Sequence, residues 1–159
     1  MGSLNRLIDI KTDWITPPTM APCINQLHGY WSQIKGSRAC PSRTEFRPRD
    51  VVECLPHIFL VDVLDGDNFQ FRLCGSRFTE ATDRKMSGDR IEAVFPPLFC
   101  QEVREAWHRC AEGSNVLGRG EMWLPEKSFL NWEGVVLPLC EPGKSVNMLI
   151  GAIEFRSRF

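Results

Sequence analysis

The sequence predicts an α+β domain: a five-stranded antiparallel sheet with helices on one face, preceded by an amphipathic helix. Three observations predict it. Residues 57–64 and 69–74 are dense in β-branched and aromatic side chains, and the turn cluster Asp65-Gly66-Asp67-Asn68 joins them as a hairpin. Three further strand candidates, 116–124, 129–139 and 146–155, are separated by Pro125-Glu126-Lys127 and Glu141-Pro142-Gly143-Lys144, both good turn chemistry. Helical periodicity fills the interval between the two groups. Antiparallel pairing is favoured because parallel neighbours need a crossover between every pair.

Taken in order, residues 1–22 read as a loosely ordered leader and 23–159 as one domain, since Pro17, Pro18 and Pro22 each remove a donor and bias the preceding residue toward extended geometry. From Cys23 to Lys35, the apolar residues Ile24, Leu27, Trp31 and Ile34 recur at helical spacing on one stripe, and Gly36 stops the helix. A proline- and arginine-rich loop runs from Ala39 to Asp50, followed by a helical turn ended by Pro56. In the second strand Phe69, Phe71 and Leu73 alternate with Gln70, Arg72 and Cys74. Residues 75–95 read as short helices and turns. The clearest helix spans 98–112, with Phe99, Val103, Ala106, Trp107 and Cys110 on one face and Gly113 ending it.

Composition narrows the function. With 159 residues, 43% hydrophobic and 25% charged, the chain suits one globular core. Its 19 basic and 20 acidic side chains leave a net charge of −1, so no overall field draws a polyanion, and nucleic acid is not an expected partner. Apolar runs are too short to span a bilayer, so no membrane partner is expected and the reading is cytoplasmic. Seven cysteines stand at 23, 40, 54, 74, 100, 110 and 140, an odd number at irregular gaps with no C-x-x-C pair. That pattern argues against a disulfide framework or structural zinc and for small buried hydrophobes in a reducing compartment.

Several segments, in order along residues 27–155, resemble a bacterial family of PAS-like domains. They are Tyr30-Trp31, Cys40-Pro41-Ser42-Arg43, Leu55 to Val63, Phe71 to Arg77, Val136-Leu137-Pro138-Leu139 and Val146 to Gly151. The resemblance implies a PAS-like fold with strand order 2-1-5-4-3, the helices of 76–112 over the inner face, and sensing or signalling in place of catalysis. It also implies that any signal passes to an unidentified signalling protein.

A PAS pocket would lie between the sheet and the long helix, lined by Phe71, Leu73, Phe95, Phe99, Val103, Trp107, Trp132 and Met148, and would suit a small apolar or amphipathic ligand. The same residues also serve as an ordinary packed core. Arg77 begins one wall of that pocket and suits an anionic group, or else pairs with Glu80 or Asp83. His108 raises a haem sensor as a lesser alternative, but it stands about 100° around the helix from Trp107 and so near solvent. No G-x-S-x-G, H-E-x-x-H or P-loop pattern supports an enzyme, and no cofactor is expected. The stripe Ile24, Leu27, Trp31 and Ile34 is read as an interface, either for a homodimer or as a brace on the chain's own sheet; a purely structural dimerisation module without ligand is the alternative function.

Overall fold

A computed structural model describes residues 8–12, 21–65 and 67–158, with side chains from residue 21 onward. Its strands are β1 (Ile8–Thr12), β2 (Ile58–Asp65), β3 (Asn68–Cys74), β4 (Val116–Glu121), β5 (Leu130–Cys140) and β6 (Val146–Ser157). The helices are α1 (Pro22–Lys35), α2 (Ser76–Thr82), α3 (Ile91–Val94) and α4 (Pro97–Ala111). Every pairing is antiparallel, in the order β1-β4-β5-β6-β2-β3. Setting β1 aside, that is the expected 2-1-5-4-3.

The sixth strand departs from the reading of 1–22 as a loose leader. Ile8–Thr12 pairs with β4, from Ile8 opposite Gly120 to Thr12 opposite Val116. The signal was a short alternation of β-branched and polar residues, Ile8-Asp9-Ile10-Lys11-Thr12, which finds a partner in the open edge of β4. The rest of that leader, 1–7 and 13–20, lies outside the described residues.

Because the sheet is covered on both faces, its central strands read as near-continuous apolar runs. Alternate residues feed two clusters. On the inner face, Phe59, Val61, Trp132, Val136, Leu149 and Ile153 meet α2, α3 and α4; on the outer face, Ile58, Leu60, Val135, Leu137, Leu139, Ile150 and Ala152 meet α1. The single expected core is therefore two apolar layers divided by one sheet.

Helix α1 starts on Pro22, where a missing N–H costs no helical bond, and stops at Gly36, whose φ of 58° suits glycine. Ile24, Leu27 and Trp31 are buried against the outer face, and Trp31 Nε1 donates to the Pro138 carbonyl at 2.9 Å. Ile34 packs at the margin, partly buried. Of the two uses expected for the stripe, the structure shows the brace on the chain's own sheet, and the apolar area of Ile24, Leu27 and Trp31 is removed from water within one chain. Burial of such side chains contributes about 1.5–3 kcal/mol each.

A second correction concerns the cysteines. Cys40 and Cys140 are joined in a disulfide, with Cα atoms 6.0 Å apart. They are 100 residues apart in sequence, which is why spacing alone did not pair them. The loop after α1 turns back along β5, where Cys140 N–H donates to the Pro41 carbonyl at 3.0 Å, and this brings the two together. The other five cysteines are free.

Candidate functional site

Between α4 and the inner sheet face lies a cavity of about 60 Å³. All of its lining residues are apolar or glycine. Helix α4 supplies Phe99, Val103, Ala106 and Trp107, all on its sheet-facing side. Pro97 in the first turn begins this helix, and the apolar spacing along it keeps these side chains on one stripe.

Five predicted residues therefore line the cavity: Phe95, Phe99, Val103, Trp107 and Trp132. Phe71 lies one layer out, its ring packed on Phe78, Phe95 and Trp107 at centroid distances of 5.8–6.0 Å. Three predicted residues are elsewhere. Leu73 is 47% exposed. A bulge at Arg72 explains it: Val61 pairs with Phe71 but Leu60 pairs with Leu73, so the alternation slips and Leu73 turns to the outer side while Cys74 joins the inner layer. Met148 belongs to the outer layer beneath α1, because it alternates with the inward Leu149. Arg77 is exposed, one residue before the cavity-lining Phe78, and its neighbour Asp83 is taken by Lys127 at 2.9 Å.

His108 is half-exposed on α4 and faces Asp67 and, at 3.5 Å, Glu112, away from the cavity. The free thiols on this side of the sheet are uncharged. Burial pushes Cys100 up and Cys110 far up, and burial, then the Asp89 carboxylate, pushes Cys74 up to about 12. They behave as small apolar groups.

The sequence reading missed Trp123, in the link after β4. It stacks on Phe99 with centroids 4.9 Å apart and 13° between planes, and both rings are only partly buried, so together they form the mouth of the cavity. Phe59 was missed as well, although its place in an obvious strand was a usable signal. Its ring lies flat over Gly151, where an added Cβ would come within 2.2 Å of it. The floor carries two glycines in register, Gly118 on β4 and Gly134 on β5, and space replaces side chains there.

A family model described as PAS domain matches residues 20–154. No curated protein matches the sequence. Among solved structures, the chain is similar to that of an RNA-binding light-oxygen-voltage receptor, with a TM-score of 0.53 and 16% identity over 92% of this chain. It spans only 38% of that receptor chain, and at such identity the likeness concerns the fold alone. With the family match running through α1, both clusters and five of the six strands, this chain belongs to the PAS domain family.

Proposed function

We propose that the chain is a sensory module that takes a small, flat, apolar molecule into the cavity beneath α4 and passes its occupancy to a partner protein. One observation carries this reading: the cavity has walls of aromatic rings, a floor of paired glycines and no charged side chain in its lining. Such a lining favours uncharged ligands, because an ion entering it would lose hydration with no compensating partner. Size then limits the class. Drug-sized pockets run to about 300–1,000 Å³, and an apolar cavity that admits benzene is about 150 Å³. The space here is smaller, so a ring-sized ligand requires Phe99 and Trp123 to swing outward at the mouth.

Thermal melting with toluene and with benzoate tests the reading. Toluene is expected to raise the melting temperature, and above its dissociation constant to go on raising it with the logarithm of its concentration. Benzoate, of similar outline but charged, is expected to leave it unchanged. Equal effects of the two, or no effect of toluene together with no co-purified molecule in native mass spectrometry, would remove the proposal.

A further inference from the structure

Four of the seven cysteines gather on the outer face around α1, the side of the sheet opposite the cavity. Two of them form the Cys40–Cys140 disulfide beyond the C-terminal end of α1. The other two, Cys23 in the first turn of α1 and Cys54 in the 3-10 turn Pro48–His57, meet at its N-terminal end. The single proton of the Cys54 thiol has two acceptors in reach, Gln26 Oε1 at 3.0 Å and the Cys23 carbonyl at 3.5 Å, and the Cys23 thiol donates to the Glu53 carbonyl at 3.8 Å. Each thiol therefore lies against the backbone at or beside the other cysteine: Cys54 on the Cys23 carbonyl, and Cys23 on the carbonyl of the residue before Cys54. Cys23 is partly exposed, whereas Cys54 is fully buried.

We propose that Cys23 and Cys54 are a redox-responsive dithiol that closes to a second disulfide, fastening the start of α1 to the turn that leads into β2. The order of attack follows from exposure. The Cys23 thiolate attacks one sulfur of a small-molecule disulfide, forming a mixed disulfide and releasing one thiolate, which takes up a proton. Cys54, as thiolate, then attacks the Cys23 sulfur of that mixed disulfide and expels the second small thiolate. Two protein thiols are oxidised, one disulfide is reduced to two thiols, and the two protons pass to the leaving groups. Burial, then the carboxylates of Glu154 on β6 and Glu53 on the turn, raise the Cys23 thiol, while burial and the neighbouring Cys23 push Cys54 up to about 12. Exchange is therefore slow at neutral pH and accelerates as pH rises. With both links closed, α1 is held covalently near each end and cannot peel from the sheet. The sheet separates this pair from the cavity, so the inference stands apart from the ligand reading.

The test treats the whole protein with glutathione disulfide at alkaline pH and maps its peptides by mass spectrometry without reduction. A Cys23–Cys54 linked peptide is expected, with Cys74, Cys100 and Cys110 still free. Cys54→Ser is expected to stop at a Cys23–glutathione adduct, and Cys23→Ser to take up no glutathione at position 54. Amide exchange along α1 is expected to slow by roughly one to two orders of magnitude on oxidation. The proposal is overturned if the linked peptide forms only in urea, if the wild-type adduct at Cys23 never resolves, or if α1 exchange is unchanged by oxidation. The mapping and exchange of the wild-type protein decide the matter even if a variant fails to fold.

Discussion

The same strands build two unlike surfaces. Along β5, Trp132, Gly134 and Val136 turn inward while Val135, Leu137 and Leu139 turn outward. Inside, Phe and Trp rings meet mostly edge to face at centroid distances of 4.9–6.3 Å, and rigid plates set at such angles do not fill all the space between them. Outside, mostly branched aliphatic side chains of the sheet close against Ile24, Leu27 and Trp31 of α1. The difference teaches that the cavity is a property of residue type at alternate positions and not of the backbone, which both faces share.

The largest expected effect breaks the inner layer. Trp107 packs on Phe59, Phe69, Phe71 and Phe95, and Trp107→Ala is expected to lower stability by about 3–5 kcal/mol in urea denaturation. A loss within about 0.5 kcal/mol would mean the ring is not part of that layer. On the outer face, Leu27→Ala is expected to cost about 2–5 kcal/mol without altering the sedimenting mass. A drop to half the mass in ultracentrifugation, with stability retained, would show that the stripe serves a second copy and would reverse the contrast drawn here.

A smaller substitution separates packing from binding. An added Cβ at Gly134 would meet nothing closer than 3.4 Å, so Gly134→Ala fits. It is expected to gain about 0.5–1 kcal/mol of stability through the unfolded chain while weakening the melting shift given by toluene, because its methyl takes cavity space. Parallel changes in both measurements would contradict that view. The smallest effect lies beside α1, where Arg38 holds Glu45 through two hydrogen bonds of 2.9 and 2.7 Å. Those bonds, and one from the Ser42 N–H, lower the Glu45 carboxyl from 4.5 to about 2. The folded value is depressed, so the stabilisation is present above about 4.5 and is lost as pH falls toward 2. As the pair is largely exposed, solvent screens it and its contribution is small, and Glu45→Gln should flatten acid denaturation in that window only slightly.

The elements were legible because their signals are local: α1, α4 and the five strands announce themselves by period, glycine and proline. The cavity was legible where the helix period held, as at Phe99, Val103 and Trp107. It failed at Leu73, because one inserted residue at Arg72 reverses facing without leaving a mark in the alternation. Met148 failed for the complementary reason: in a strand apolar on both sides, hydrophobicity no longer says which side is in. Trp123 was missed because the strand expected over 116–124 ends at Glu121, and the link beyond it follows no alternation that would aim the ring inward. The Cys40–Cys140 pairing depends on a loop returning to a strand a hundred positions later, which no window of sequence contains.

The centre of the sheet has a consequence for how the chain is made. Strand β2 pairs along Ile58–Asp62 with Met148–Ala152 of β6, and β6 pairs on its other side with β5. A nascent chain ending at residue 145 thus holds the β2–β3 hairpin and the β4–β5 pair as separate halves, each with an open hydrogen-bonding edge. Only when β6 leaves the ribosome does a single strand join both halves. This long-range closure slows folding and leaves those edges exposed until β6 has emerged.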